Sequence, residues 1–147
     1  MAAISSSGSK ERDEKLTKSL SENLDLFKTI FKNDQTLIIR SLESSSDPMI
    51  SYGIIYCDGM VNNKLLNEDI IRPLLEYKTE QKDPDLLDVI SKQVTLSDSV
   101  EKTSDLDPLL QGIVYGDSVL LVDGYSEGLI LNTKGWGSRS VSEPAYP

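Results

Sequence analysis

Six residues, Asp123-Gly-Tyr-Ser-Glu-Gly128, separate the apolar runs Ser118 to Val122 and Leu129 to Thr133. A parallel connection needs a crossover of a dozen or more residues, so strands joined by so short a link run antiparallel, as a hairpin. A second pair obeys the same logic. Thr36 to Leu42 (TLIIRSL) and Ile50 to Cys57 (ISYGIIYC) are rich in β-branched and aromatic residues, and the ESSSDPM between them is turn chemistry.

Helical periodicity fills the rest. Leu16, Leu20, Leu24, Phe27, Ile30 and Phe31 fall on one helical face. Ser19 with Glu22 has the S-x-x-E spacing of a capping box, which starts the regular helix there, and Asn33-Asp34 end it. From Asn62 to Tyr77, Leu66, Ile70 and Leu74 recur with Ile71 and Leu75, interrupted by Pro73, so the spacing predicts one bent helix or two short ones. Asp83-Pro84 supplies an N-cap and a first helical position for DLLDVISK, and Val94 to Leu96 reads as a short strand. Ser104 with Asp107 resembles a second capping box, followed by a stripe of Leu106, Leu109, Leu110, Ile113 and Val114 that Gly116 terminates. Arg139 to Ser142 is a candidate last strand.

Helix-length connections before the third and fourth strands imply parallel neighbours, and the hairpins imply antiparallel ones. The class expected is therefore α/β in the mixed, α+β sense: a mixed parallel/antiparallel sheet of about four to five strands flanked by helices. Its leucine and isoleucine stripes form the core, with Leu110 and Leu121 among the buried positions. Residues 1–15, with Ser, Gly and mixed charge, read as a disordered lead, 16–137 as the folded lobe, and 138–147 as a truncated strand or linker toward a second lobe.

Composition removes several classes of function. With 15 basic and 24 acidic residues the net charge is −9, which argues against nucleic acid or anionic lipid as a direct partner. The content of Leu, Ile, Val and Phe lies above the ~20% below which a charged chain stays disordered. There is no His and a single cysteine, Cys57, so an intrachain disulfide, the usual zinc sites and Ser/His or Cys/His catalysis are excluded. The opening MAAISSSGSKERDEK lacks the apolar stretch of a secretory signal, Ala2 stands where myristoylation requires glycine, and no apolar run approaches the ~20 residues of a membrane helix. The expectation is a chain with no membrane span of its own, on the cytoplasmic side, needing no cofactor and no metal.

Two apolar strands end in the same dipeptide, at Asp58-Gly59 and Asp123-Gly124. In open α/β sheets aspartates at strand ends can hold Mg²⁺ or accept a phosphoryl group. Asp-Gly is also among the commonest turn dipeptides, and no third carboxylate or lysine stands at a matching strand end, so these positions read as structural turns. Glu68, Asp69 and Glu127 offer carboxylates for acid and base work, with nothing in their spacing that sets them opposite one another. The only tryptophan, Trp136, stands between Gly135 and Gly137. It is a candidate contact residue or a cap on a core edge.

The stretch from Ser19 to Pro144 resembles the N-terminal hydrophilic domain of the A subunits of bacterial spore germination receptors, the GerA family. The resemblance is carried by SENLDLFKTIF, the Ile38-Ile39-Arg40 strand, YCDGMVNN followed by NEDIIRPLL, GDSVLLVDGYSEGLIL, and the closing Arg139-Ser140-Val141-Ser142-Glu143-Pro144. Family A subunits continue past the E-P into a basic segment, the rest of the soluble domain and several membrane helices. The resemblance thus implies that this chain is the first of two α/β lobes. It implies a nutrient receptor at the inner spore membrane, with the lobe on its cytoplasmic, spore-core face. The partners implied are a multi-span B subunit, a lipoprotein C subunit and further A-subunit copies.

Three readings follow. The first is a non-enzymatic module acting in receptor assembly and signal transmission. The second is half of a small-ligand cleft, like a lobe of a substrate-binding protein; the third is an Mg²⁺-dependent phosphoryl enzyme using Asp58 or Asp123. Under the first reading the interface candidates are Trp136, Arg139, Glu143 and Pro144. In an extended segment Arg139 and Glu143 point the same way about 13 Å apart, too far to pair with each other and well placed to bridge different neighbours.

Overall fold

The computed structural model describes residues 14–45, 49–77, 86–94 and 100–135. Its elements are α1 (Leu20–Ile30), β1 (Leu37–Glu43), β2 (Ser51–Cys57), α2, α3, β3 (Val100–Thr103), α4 (Leu106–Val114), β4 (Ser118–Val122) and β5 (Gly128–Leu131). Here α2 joins α-helical Asn63–Leu65, π-helical Leu66–Ile71 and α-helical Arg72–Glu76, while α3 is Leu86–Val89 continued as a π-helix over Ile90–Val94.

The strands form a single sheet in the order β1-β2-β4-β5-β3. The expected α+β class with five strands and flanking helices is present, but the expected parallel neighbours are not: each pairing is antiparallel. β3 and β4 do point the same way, as the helix between them demands, yet β5 lies between them and pairs with both. The hairpin return of β5 has entered the gap that α4 spans, splitting what would have been a parallel pair. β2 meets β4 antiparallel, with Tyr52 opposite Val122 and Ile55 opposite Val119.

Alternation along the strands sorts the core into two layers. Tyr52, Ile54, Tyr56, Leu120, Val122, Leu129 and Leu131 face α2 and α3, where Leu66, Ile70, Leu74, Leu86 and Ile90 meet them. Ile55, Cys57, Val119, Leu121 and Ile130 face α1 and α4, meeting Leu20, Leu24, Phe27, Leu106, Leu109 and Ile113. Among the described residues the Tyr52 hydroxyl is the buried side-chain polar atom without a partner, and burial raises its pKa.

Local chemistry explains the helix ends. Ser19 caps α1 by accepting from the Glu22 N–H at 3.2 Å, one half of the expected capping box; the other half is replaced, the Ser19 N–H donating to Thr17 Oγ1 at 3.1 Å and not to the Glu22 carboxylate. Gly53 lets α1 approach β2 closely, since a Cβ there would stand 2.8 Å from Leu24 Cδ2. In α2, the π-turns end at Ile71 and Pro73 stands in the first turn of the α-helical segment that follows, where a proline is tolerated. α4 departs from expectation at its start: the N-cap is Asp105, not Ser104, and it makes no side-chain capping bond. Of the strand expected at Val94 to Leu96, Val94 is the last residue of α3 and Thr95 and Leu96 lie outside the described residues; the third described strand is Val100–Thr103. The segments 1–13, 78–85 and 136–147 lie outside the described residues, and with them the Asp83-Pro84 cap, the lead and the Arg139 to Ser142 strand.

Leu121 is 1% exposed, whereas Leu110 sits only partly buried on the flank of α4, a correction to its expected core position. Leu121→Ala is expected to cost about 2–5 kcal/mol, and Leu121→Asp, which also buries an unpaired charge, to abolish cooperative unfolding. Exposed Lys32→Ala should change stability by no more than about 0.5 kcal/mol. Thermal melts by circular dichroism check this; an unshifted melt for Leu121→Asp would contradict the two-layer core.

Candidate functional site

The two Asp-Gly dipeptides do not share a site. Because β2 and β4 are antiparallel, Asp58 follows the end of β2 beside the start of β4, while Asp123 follows the end of β4 beside Ser51. Six residues, Tyr52 to Cys57, separate Asp58 from the position opposite Asp123, which places the aspartates about 23 Å apart along the sheet. Asp58 is exposed, and its N–H donates to the Thr36 carbonyl at 2.6 Å, with Gly59 at φ 87° completing the turn. Asp123 accepts from the Leu20 N–H at 3.0 Å, so it neutralises a free donor in the first turn of α1 from across the sheet. Gly124, at φ 96°, donates its N–H to the Lys18 carbonyl. Glu127 stands 4.0 Å from Lys102, which also pairs with Asp88 at 2.6 Å and holds that carboxyl below its ordinary range. Glu68 and Asp69 sit apart on the π-turns of α2.

A denser set of polar contacts lies at the Asp58 end of the sheet, where residues 133–135 leave β5. α4 closes with Gly116 at φ 101°, the Gly116 N–H bonded to the Ile113 carbonyl and the Asp117 N–H to the Gly112 carbonyl at 2.8 Å. That is the six-to-one plus five-to-two pattern of a glycine-terminated helix, whose next residue is often apolar. Here it is Asp117, and its Oδ1 accepts from Lys134 Nζ at 2.6 Å, the two side chains being 15% and 24% exposed. Thr133 and Ser118 are fully buried, with their hydroxyls 2.7 Å apart. Thr133 Oγ1 donates to the Gly116 carbonyl at 3.2 Å, so its single proton is committed and Ser118 is the donor between the pair.

The backbone completes this clamp. The Asn62 N–H donates to the Thr133 carbonyl at 2.8 Å and the Gly135 N–H to the Met60 carbonyl at 3.0 Å, while Val61 and Lys134 form an isolated bridge. A Cβ on Gly135 would stand 2.8 Å from the Val61 backbone, so only glycine fits. The segment is thereby fixed to the end of α4, the start of β4 and the lead into α2. Sequence reasoning missed this cluster because its side-chain partners are 15 to 17 residues apart. The one local signal was a charged residue directly after the terminating Gly116.

The remaining chemistry is sparse. Cys57 is buried and burial pushes its thiol pKa up, so it is held as an unreactive thiol. A cleft of about 460 Å³ lies between α1 and the β1–β2 edge, with Ser21, Asp25, Lys28, Ser41 and Glu43 in its walls. Among the described residues no three acidic or cysteine side chains gather as a metal site, and no helix is long and apolar enough to cross a membrane. Trp136, Arg139, Glu143 and Pro144 lie outside the described residues.

What the fold and the clamp define is an α+β module whose residues 133–135 are fixed to the end of α4, the start of β4 and the lead into α2. A model of the Bacillus/Clostridium GerA spore germination protein family matches residues 25–146, and the chain belongs to that family. Spore germination protein KA of Bacillus subtilis (strain 168) is 27% identical over 136 residues, which cover 92% of this chain and 25% of that protein. Spore germination protein B1 of the same organism is 31% identical over 127 residues, covering 86% and 26%. The uncharacterized membrane protein YfkQ, also from that strain, is 28% identical over 133 residues. The chain therefore spans about a quarter of the length of these curated relatives. The crystal structure of the N-terminal domain of the A subunit of the Bacillus megaterium spore germinant receptor GerK3 matches with a TM-score of 0.71 at 28% identity, over 85% of this chain and 50% of that one.

A double-mutant cycle tests the clamp. Asp117→Ala and Lys134→Ala should each destabilise the fold, and together by less than the sum, with a coupling of about 1 kcal/mol for this half-buried pair. Urea unfolding measures it; additive effects would show that the pair contributes nothing.

Proposed function

We propose that the chain is the N-terminal module of the A subunit of a nutrient germinant receptor, acting through assembly and signal transmission and without catalysis of its own. The observation that carries this is the match to the GerK3 A-subunit domain over 85% of the chain. The family match over residues 25–146 and the relatives named as spore germination proteins support it. The partners proposed are the B and C subunits of the same receptor and further A-subunit copies. The location proposed is the spore-core face of the inner spore membrane, which accords with a relative named as a membrane protein.

The chemistry supports a contact role. The aspartates that would serve a phosphoryl mechanism stand at opposite ends of the sheet, and Asp123 is committed to the start of α1. The clamp holds residues 133–135 against the sheet, and a contact role needs such rigidity and no reactive group. On this reading Arg139 and Glu143 bridge to the second lobe or to a sister subunit, and Trp136 and Pro144 are further interface candidates.

Arg139→Ala and Glu143→Ala in the full receptor test the proposal, reading subunit abundance in the spore membrane and nutrient-triggered germination. Loss of abundance is expected if the residues act in assembly, and loss of response at normal abundance if they act in signalling. Normal levels with normal germination in both variants would refute it.

A further inference from the structure

β1 is one edge of the sheet, and among the described residues no strand pairs with its outer side. Which groups it presents there follows from the register. The Asp58 N–H bonds the Thr36 carbonyl and the Ser44 N–H bonds the Ile50 carbonyl, so the even-numbered residues of β1 turn their backbone groups toward β2. The N–H and C=O of Ile39, Ser41 and Glu43 therefore point outward, and among the described residues they meet no partner. Edge strands are ordinarily kept short or charged, so that no further strand adds to them. β3, the opposite edge, is four residues long with Glu101 and Lys102 in its middle, and Lys102 pairs with Asp88. β1 is seven residues long, and between Leu37 and Leu42 it carries the single charge of Arg40.

The cleft between α1 and the β1–β2 edge lies along this open strand. Leu37 and Ile39 belong to the α1 layer and Ile38 and Leu42 to the opposite one, so Ser41 and Glu43 also face α1. α1 meets β2 through Leu20 and Leu24 at Gly53; beside that contact the walls part over Ser41, Glu43 and Ser51 and leave about 460 Å³. A residue of an added strand that stood opposite Ser41 would put its side chain on this same face, in the cleft. The walls there are acidic, with Asp25, Glu43 and Asp123 against Lys28. Asp123 is bonded to the start of α1, whereas Asp25 and Glu43 form no ion pair among the described residues.

We propose that the β1 edge and the cleft beside it form a strand-docking site for an extended segment of another protein, whose Lys or Arg side chain enters the cleft and reaches Asp25 and Glu43. Main-chain bonds to Ile39, Ser41 and Glu43 supply the affinity, and the cleft selects the basic residue. A second copy paired antiparallel, the more stable of the two ladders, does not meet this requirement. It would bring Leu37, Ile39, Ser41 and Glu43 to the α1 face, and none of them is basic. The site stands on the sheet edge alone and is independent of the receptor reading.

The test titrates this chain with two end-blocked peptides of the length of β1, TVTKTVT and TVTETVT, and reads amide shifts and hydrogen exchange by NMR. The lysine peptide is expected to slow exchange at Ile39, Ser41 and Glu43 by at least about tenfold. The glutamate peptide should bind about tenfold more weakly, because it sets a like charge among the carboxylates. Ser41→Pro removes the central outward N–H, and proline is tolerated where an edge strand's N–H faces solvent, so this variant should lose the protection while staying folded. Asp25→Lys combined with Glu43→Lys, both at exposed positions, should reverse the preference in favour of the glutamate peptide. No protection by the lysine peptide, equal binding of the two peptides, or an unchanged preference in the double variant would overturn the proposal, as would binding that survives Ser41→Pro. Should Ser41→Pro unfold, the double variant decides. Protection that grows with protein concentration in the absence of peptide would overturn the proposal in favour of a second copy.

Discussion

Every residue of β4 is buried, and the organisation of the domain depends on that. A strand covered on both faces needs a helical layer on each side, and the chain provides them: α1 and α4 on one, α2 and α3 on the other. Burying each large aliphatic side chain is worth about 1.5–3 kcal/mol, so the double-sided centre of β2, β4 and β5 carries most of the driving force, while the edge strands β1 and β3 stay half-exposed. Only then do the polar details acquire meaning, since each is placed at one end or the other of this central layer.

The two ends differ in kind. At one, Asp123 and Gly124 tie the β4–β5 turn to the start of α1, which closes the lobe on itself. At the other, Ser118, Thr133, Asp117 and Lys134 tie the described residues after β5 to the rest. A buried hydroxyl pair with its proton direction settled and an ion pair largely out of solvent make a stiff joint, because each group left alone would be a buried polar atom without a partner. On the proposed reading as a module of a receptor subunit, such a joint suits the passage of a small displacement from one body to another.

Much of this was legible in the sequence where the determinant was local. The Ser19 cap, the two hairpins and the glycine stop at Gly116 rest on contacts within a few residues, and each fixes its own segment. Strand adjacency was not local. Continuous apolar runs such as SVLLV are the mark of strands buried on both faces, which parallel sheets commonly show, and here an antiparallel sheet has the same burial. The insertion of β5 between β3 and β4 follows from which neighbours best cover β4, a property of the whole sheet. The π-turns in α2 and α3 left no trace, because apolar spacing tolerates one extra residue per turn. The Asp117–Lys134 pair belonged to the same blind region: nothing in the spacing of a loop aspartate and a loop lysine says that the sheet will bring them together.

Native-state hydrogen exchange at three amides addresses the rigidity of the exit most directly: Asn62, whose N–H meets the Thr133 carbonyl, Gly135, whose N–H meets the Met60 carbonyl, and Leu120 in the central strand as reference. If residues 133–135 are an integral part of the sheet, Asn62 and Gly135 exchange only with the unfolding that releases Leu120. Exchange of Gly135 and Asn62 at the rate of open amides, with Leu120 still protected, would contradict a rigid joint.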